Sequence, residues 1–190
     1  MPAKERFSAL KGKLVSPRRE VGAVLVVGGG VAGMQASLDL VDNGFKVYLL
    51  DRSSAIGGVM SQLDKTFPTN DCAMCILAPK LVECGRNLNI ELLTLSEIES
   101  ISGEPGNFEV KIKRHPRYID PEKCTGCGEC ARHCPVRAIN EYNEGLDLRE
   151  GVYVRYPQAV PRSYMIAVSY THLRAHETSL HIVCRLLLEK

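Results

Sequence analysis

The stretch Val21–Gly58, VGAVLVVGGGVAGMQASLDLVDNGFKVYLLDRSSAIGG, has the pattern of a strand, a turn, a helix and a second strand. Its first part, Val21 to Val27, is a short valine-rich run, which is typical of a strand buried on both faces. Residues 46–50 form a second such run, which leads to Asp51. Between the two runs lies a predicted helix that stops at Gly44. Its core-facing positions, three or four residues apart, are Met34, Leu38 and Val41.

Three glycines, Gly28, Gly30 and Gly33, join the first strand to the helix in G-x-G-x-x-G spacing. In this motif the first glycine permits a tight turn, the second lets the backbone approach a pyrophosphate, and the third allows close helix–strand packing. The free N–H groups at the helix start favour phosphate. Asp51 follows 18 residues after Gly33, where a carboxylate can accept hydrogen bonds from ribose hydroxyls. The context of strand, turn and helix favours a dinucleotide site over a glycine-rich surface turn.

The segment that follows Asp51, RSSAIGG, indicates which dinucleotide is bound. Gly57 and Gly58 would allow the chain to turn back beside a cofactor, and this arrangement of an acid and a glycine pair favours FAD. The alternative is an ordinary surface turn, which a glycine pair also suits.

Eight cysteines are grouped along the chain, and a group such as KCTGCGECARHCP indicates a metal or redox site in a protein without a secretion signal. Cys124, Cys127 and Cys130 lie three residues apart, so they can wrap one face of a [4Fe–4S] cubane. Cys134 follows after four residues. Zinc is the competing ion, but all-cysteine zinc sites use paired knuckles separated by a spacer. His133 lies inside the run, and we expect it to be exposed rather than a ligand.

Cys134 poses a separate question, because the fourth cysteine of such a run ligates a different cluster in two-cluster ferredoxins. We expect the run to be half of a two-cluster module, with Cys134 directed towards the second cluster. In a single-cluster module all four cysteines would serve together.

A further group, Cys72, Cys75 and Cys84, lies in FPTNDCAMCILAPKLVECGRN. Cys72 and Cys75 could form a redox dithiol, supply ligands to a further cluster, or pack as small apolar residues, and these three interpretations remain open. For Cys84 we favour packing. Asn70 or Asp71 is the expected cap of a helix here. Its predicted core-facing positions are Met74, Leu77 and Leu81.

The composition limits the remaining possibilities: 45% of the residues are hydrophobic, 24% are charged, and the net charge is +2. These values are typical of a globular protein and give no case for nucleic-acid binding. No run is long and apolar enough to span a bilayer, so we expect a cytoplasmic location.

Four stretches together resemble the heterodisulfide reductase A-subunit family and the related flavoprotein subunits of sulfate-reducer electron-transfer complexes. They are the glycine-turn stretch, QLDKTFPTNDCAMCILAPKLVECGRNLNIELLT, ISGEPGNFEVKIKRHPRYID and KCTGCGECARHCPV, and the resemblance runs from about Val21 to Tyr164. It implies an incomplete α/β, FAD-type Rossmann-like domain of the thioredoxin-reductase kind, with a ferredoxin-like [4Fe–4S] insertion. The residues it implies around FAD are Gly28, Gly30, Gly33, Asp51, Arg52, Gly57 and Gly58. The implied cluster ligands are Cys124, Cys127, Cys130 and Cys134.

The resemblance also implies a function. In that family the flavin splits electron pairs that come from a hydride donor or from hydrogen, through a hydrogenase or another donor subunit. The electrons pass to partner subunits that reduce a heterodisulfide, and to ferredoxin. Two alternatives are an iron–sulfur electron carrier without flavin chemistry and an NAD(P)H-dependent flavin reductase of the glutamate-synthase small-subunit type.

The predicted organisation has four parts. A basic tail (1–20) precedes a partial FAD-binding domain (21–117) with further strands at 88–95, 96–102 and 107–115. A ferredoxin-like insertion (118–162) follows. We expect residues 163–190 to be a non-native tail, because from about residue 167 the sequence AVSYTHLRAHETSLHIVCRLLLEK breaks the family resemblance and resembles a translated sequencing adapter. The chain would then be a fragment.

Overall fold

A computed structural model describes residues 22–167. The basic tail 1–20 and residues 168–190 of the expected adapter lie outside this range. In chain order, the first half contains β1 (Ala23–Val27), α1 (Val31–Asp42), β2 (Lys46–Asp51), a 3-10 turn (Val59–Gln62), α2 (Ala73–Arg86), β3 (Ile90–Thr94), β4 (Ser96–Glu104) and β5 (Asn107–Arg114). The second half contains α3 (Glu129–Arg132), β6 (Arg137–Ile139), a 3-10 turn (Glu141–Asn143), β7 (Leu148–Glu150), β8 (Val152–Tyr153) and β9 (Met165–Ile166).

The first three strands form a parallel sheet in the order β1-β2-β3. β2 lies in the middle, and its Val47 and Leu49 are fully buried. The expectation that the first strand is buried on both faces is wrong for the described residues. β1 lies at an edge of this sheet, and Val27 at its end is 60% exposed.

Two helices pack on this sheet and supply nearly half of the buried core of the described residues. The stripe predicted for α1 is confirmed, because Met34, Leu38 and Val41 are buried. The core-facing residues of α2 are Leu77, Leu81 and Cys84, and Met74 packs against them while partly buried. Burial of side chains of this size contributes about 1.5–3 kcal/mol each, so these two stripes fix how the helices sit on the sheet.

The start of α2 differs from the prediction. Its cap is Cys72, whose thiol accepts a hydrogen bond from the Cys75 N–H, and not Asn70 or Asp71. Asp71 instead takes part in the preceding loop, where its carbonyl oxygen accepts a hydrogen bond from the Thr66 N–H. The backbone of Asn70 is left-handed, which suits the turn before the helix better than a cap position.

The sequence GEPGN between the predicted strands 96–102 and 107–115 predicts a hairpin, which is confirmed. β4 and β5 pair antiparallel from Ser96 opposite Arg114 to Glu104 opposite Asn107. Gly103 and Gly106 have φ values of 105° and 93° at the turn, a conformation that favours glycine.

The cysteine run lies in a segment of short elements. The flanks of the run resemble those of a bacterial ferredoxin half, which predicts a strand and turn at YIDPEKC and a short helix at PVRAI. The predicted helix is wrong, because Arg137–Ile139 is a strand that pairs with Leu148–Glu150. YIDPEKC contains the predicted turn, in which Asp120 O accepts from Cys124 N–H at 3.0 Å, but no strand. The β-branched Val136 and Ile139 favour the extended ladder over a helical continuation of α3.

Residues 163–167 are packed into this segment. β9 pairs with β8, and the Ala167 N–H donates to Gly151 O at 2.9 Å. Ser163 and Met165 are buried. The proposed domain limits, including a non-native tail from residue 163, remain predictions.

One long-range connection positions residues 117–167, which we call the iron–sulfur segment, against the sheet. The half-buried Arg117 donates from Nη2 to Ser54 O at 2.6 Å and to Thr94 Oγ1 at 3.1 Å, and from Nη1 to Ser163 O at 3.1 Å. Burial is the main cause that lowers the pKa of Arg117, and the nearby Arg114 adds to the shift. The guanidinium thus joins the end of β3, the loop after β2 and the far end of the iron–sulfur segment.

Candidate cofactor site

Residues 28–30, the glycine turn, join β1 to α1, and the start of α1 lies close to the backbone of this turn. Gly28 has a φ of 102°, and its N–H donates to Leu50 O at 2.7 Å, which ties the turn to β2. A Cβ at Gly33 would overlap the Gly28 carbonyl oxygen, so no side chain fits there. A Cβ at Gly30, in contrast, would meet no atom within 4 Å. The backbone at Gly30 therefore faces open space, as a pyrophosphate-binding turn requires.

Asp51 lies directly behind this turn. Its Oδ2 accepts from the Gly29 N–H at 2.6 Å, and its Oδ1 accepts from the Ser53 N–H at 2.6 Å. The carboxylate is buried, and each oxygen has a second lone pair for a further donor such as a ribose hydroxyl. Asp51 thus orders the protein's own loops, a role that its sequence position did not predict.

The glycine pair after Asp51 folds back onto the turn. The Gly57 N–H donates to Gly29 O at 2.7 Å, and a Cβ at Gly58 would lie 2.9 Å from the Gly30 Cα. Gly57 and Gly58 have φ values of 129° and 59°. The structure therefore brings the two glycine groups together, as the sequence predicted, while the neighbouring Arg52 is exposed.

These features fit a dinucleotide phosphate. The start of α1 is capped at Gly30 without a side-chain hydrogen bond, and its first turn holds no acidic residue. The N–H groups of that turn and the positive end of the helix dipole are thus left for an anion.

Two residues of this region were missed from the sequence. A Cβ at Gly29 would lie 2.6 Å from Ile56 Cγ2 and 2.9 Å from Asp51 Oδ2, so this middle glycine is also required. Tyr156 donates its hydroxyl to Ile56 O from 100 residues away, and a Cβ at Gly57 would meet that hydroxyl. For Gly29 the sequence offers a local signal, since it is the second glycine of GGG. For Tyr156 no neighbouring residue indicates the contact with Ile56.

The iron–sulfur segment packs on the same loop at further points. The Ile56 N–H donates to Val160 O at 2.9 Å. Tyr142 donates its hydroxyl to Ser61 O, and Gln62 Nε2 donates to Tyr142 O at 2.6 Å. We call residues 54–62 the flavin loop. It is thus held by the glycine turn on one side and by the flank of the cysteine run on the other.

The cysteine run curls around two left-handed glycines, Gly126 and Gly128, with φ values of 71° and 87°. The Tyr164 N–H donates to Cys124 Sγ at 3.4 Å. A hydrogen bond from the Glu129 N–H is the main cause that lowers the pKa of Cys127, and Thr125 adds to it. Backbone N–H groups therefore point at two of the thiols, which is the second-sphere arrangement that stabilises cluster thiolates.

The four thiols do not share one environment. Three of them act on Tyr164. Burial is the main cause that raises the pKa of Tyr164, and charges at Cys130, Cys127 and Cys124 add to the rise. Cys134 has other neighbours: its Sγ donates to Val136 O at 3.5 Å, and a Cβ at Gly151 would lie 3.5 Å from this sulfur. His133 is exposed and lies 3.6 Å from Glu129. Between residues 22 and 167, no three or more His, Cys, Asp or Glu side chains are gathered closely enough to hold a metal ion.

The other cysteines separate into two kinds. Cys72 and Cys75 are exposed, and the three interpretations of this pair remain predictions. Cys84 is buried, its Sγ lies 3.7 Å from Met34 O, and burial is the main cause that raises its pKa to about 11. Its predicted packing role is confirmed.

Comparison with known families defines the class of this protein. Residues 23–74 match the family described as FAD dependent oxidoreductase, and residues 117–140 match the 4Fe-4S binding domain. The chain thus combines a segment of the FAD-dependent oxidoreductase family with a 4Fe-4S binding segment in an α/β fold, and the predicted cofactors, FAD and a [4Fe–4S] cluster, are confirmed.

Individual relatives narrow this class. Over 153 residues the chain is 52% identical to the iron-sulfur A-subunit 1 of the CoB–CoM heterodisulfide reductase of Methanopyrus kandleri, which covers 79% of this chain and 23% of that protein. Over 146 residues it is 54% identical to the A-subunit of the H2:CoB-CoM heterodisulfide,ferredoxin reductase of Methanothermobacter marburgensis. This alignment covers 77% of this chain and 22% of that protein. A protein of Archaeoglobus profundus that is similar to the heterodisulfide reductase A-subunit is 51% identical over 147 residues, covering 76% and 21%. The resemblance to the heterodisulfide reductase A-subunit is confirmed, and the chain spans less than a quarter of the length of these relatives.

One solved structure is also similar. L-Proline dehydrogenase from P. horikoshii superposes with a TM-score of 0.41 and 23% sequence identity, over 50% of this chain and 20% of that one. Within residues 22–167, no helix has the length and apolar character needed to cross a membrane.

The glycine turn gives a prediction with a matched pair of variants. Gly30→Ala places a Cβ in open space, so we expect unchanged stability but at least about tenfold weaker FAD binding, because the methyl group occupies the phosphate position. Gly33→Ala should lose more than about 2 kcal/mol of stability through the overlap with the Gly28 carbonyl. FAD fluorescence titration and urea unfolding measure the two effects. Unchanged FAD affinity in Gly30→Ala would show that phosphate does not approach this turn.

The place of Cys134 as the fourth cysteine of the run, with its own neighbours, gives a second prediction. After anaerobic reconstitution, Cys124→Ser, Cys127→Ser and Cys130→Ser should each lose most of the cluster, because these thiols would share one cubane. Cys134→Ser should retain it. Iron quantitation and the low-temperature electron paramagnetic resonance signal of the reduced protein provide the readouts. Equal loss in all four variants would mean that Cys134 joins the same cluster.

Proposed function

We propose that this chain forms part of an electron-transfer subunit that holds FAD and a [4Fe–4S] cluster in a complex of the heterodisulfide-reductase type. The observation that carries the proposal is the packing of the iron–sulfur segment on the flavin loop through Tyr142, Tyr156 and Val160. Electron transfer between two centres depends on a fixed separation, and this packing joins both regions in one unit.

The residues of the glycine turn would bind and orient the flavin dinucleotide. Gly30 and the start of α1 would hold the pyrophosphate, while the unused lone pairs of Asp51 would accept from the ribose. Gly57 and Gly58 would let the flavin loop lie close to the phosphates, and Arg52 lies exposed at its edge. When bound, FAD supplies the hydride and electron chemistry, and the protein supplies binding and orientation.

The cysteine run would hold the cluster. Cys124, Cys127 and Cys130 are its proposed ligands in this chain, with Cys134 directed towards a second cluster. The N–H groups of Tyr164 and Glu129 would compensate negative charge on the sulfurs and so favour the reduced form of the cluster.

The proposed partners follow from the names of the relatives, which mention hydrogen, ferredoxin and a CoB–CoM heterodisulfide. We place this chain with other subunits of such a complex: a hydrogenase or another donor subunit, subunits that reduce the heterodisulfide, and ferredoxin as a further acceptor. Division of electron pairs between these two acceptors, electron bifurcation, is the corresponding flavin function. The grouped cysteines suit a reducing compartment, so we propose the cytoplasm.

The test is cofactor quantitation on anaerobically prepared full chain. We expect uptake of FAD and iron together, because both binding regions lie in one packed unit. Flavin absorbance and iron content measure the two. Cluster without any FAD uptake would overturn the proposal and favour an iron–sulfur carrier. Bleaching of bound flavin by NADPH alone would favour the alternative of an NAD(P)H-dependent flavin reductase.

A further inference from the structure

Cys72 and Cys75 lie at the start of α2 and play no part in the site described above. Both thiols are exposed. The Cys72 Sγ accepts a hydrogen bond from the Cys75 N–H at 3.4 Å. Two cysteines three residues apart, with the first capping a helix, form the arrangement of redox-active Cys-x-x-Cys pairs.

The loop before the helix holds this pair in place. Lys65 and Cys72 form a β-bridge, the Thr66 N–H donates to Asp71 O at 2.9 Å, and the Ala73 N–H donates to Asp64 O at 3.0 Å. The thiols thus stand on an ordered backbone and are open to solvent, so a small disulfide can reach them without any movement of the core.

The two thiols differ in acidity. The hydrogen bonds from the Cys75 side chain and backbone are the main causes that lower the pKa of Cys72, and the Asp64 carboxylate opposes them weakly. The hydrogen bond with Cys72 is the main cause that raises the pKa of Cys75. This asymmetry gives one thiol the character of an attacking nucleophile and the other that of a protonated, resolving partner.

The third cysteine of this region does not complete a site with them. Cys84 lies nine residues beyond Cys75 along α2, about 14 Å at the helical rise of 1.5 Å per residue. It is buried against Met34, and its thiol stays protonated near neutral pH because its pKa is about 11.

We propose that Cys72 and Cys75 form a redox-active dithiol that exchanges with low-molecular-weight disulfides. The Cys72 thiolate attacks one sulfur of the disulfide, whose S–S bond breaks, and a mixed disulfide forms while the departing thiolate takes up a proton. Cys75 then gives its proton to solvent and attacks the Cys72 sulfur, which releases the second thiol. The protein dithiol is oxidised to a disulfide, and the small disulfide is reduced to two thiols. The proposal does not depend on FAD or on the cluster.

The test uses the full chain, prepared anaerobically and treated with oxidised glutathione. We expect the peptide that contains Cys72 and Cys75 to lose two hydrogens, as measured by mass spectrometry after alkylation of the remaining thiols. In Cys75→Ser the reaction should stop at the glutathione adduct on Cys72, and release of the second glutathione should slow at least about tenfold, because the resolving thiol is missing. Cys84→Ala serves as the matched control and should behave like the unmodified chain.

Two results would overturn this inference. One is that both thiols of the unmodified chain stay alkylatable after oxidised glutathione has formed adducts at other exposed cysteines such as Cys127. The other is that Cys72→Ser and Cys75→Ser both lose iron while the cluster run is unchanged, because the pair would then supply ligands to a cluster.

Discussion

The contact between Gly33 and the carbonyl oxygen of Gly28 is the constraint on which the flavin region depends. It leaves no room for a side chain, so α1 can start directly behind β1 only with glycine at this position. This crossing exposes the backbone of Gly30 and brings Asp51 within 2.6 Å of the Gly29 N–H. The phosphate-binding turn, the acid and the start of the flavin loop therefore follow from one close backbone approach.

The same loop connects the two halves of the structure. Its inner side is bound by Gly29, and its outer side by Tyr156 and Val160 from the flank of the cysteine run. Arg117 adds hydrogen bonds to Ser54 and to Ser163, so both ends of the iron–sulfur segment are joined to the loop. Hydrogen bonds to a charged group such as Arg117 contribute about 1.5–3 kcal/mol each.

Much of the fold was predictable from local patterns in the sequence. The helix α1, the strand β2, the hairpin β4–β5 and the glycine groups were found because helical or strand periodicity and turn glycines act over a few residues. The strand at Arg137–Ile139 was missed, since three residues are too few to show a strand period and the strand is completed by pairing with β7. The cap at Cys72 was missed because asparagine and aspartate lie two residues and one residue before it and are the usual caps.

The residues of the candidate site also fall into two groups, those that local motifs predict and those that tertiary contacts bring in. The glycines, Asp51 and the cysteine spacing follow motifs whose chemistry is local, so sequence reasoning found them. Arg117 and Tyr156 contact the flavin loop from 63 and 100 residues away, and no local pattern encodes such contacts. The different environments of Cys134 and its three neighbours also depend on tertiary packing, in this case on Tyr164 and Gly151.

We infer that the iron–sulfur segment shapes the flavin loop, and the variant Tyr156→Phe tests this inference. This variant removes only the hydroxyl that donates to Ile56 O and keeps the ring stacked on Tyr142. FAD titration of the reconstituted protein should show binding weakened about tenfold, corresponding to the roughly 1 to 1.5 kcal/mol of one buried hydrogen bond, with iron content unchanged. FAD affinity equal to that of the unmodified chain would contradict the account.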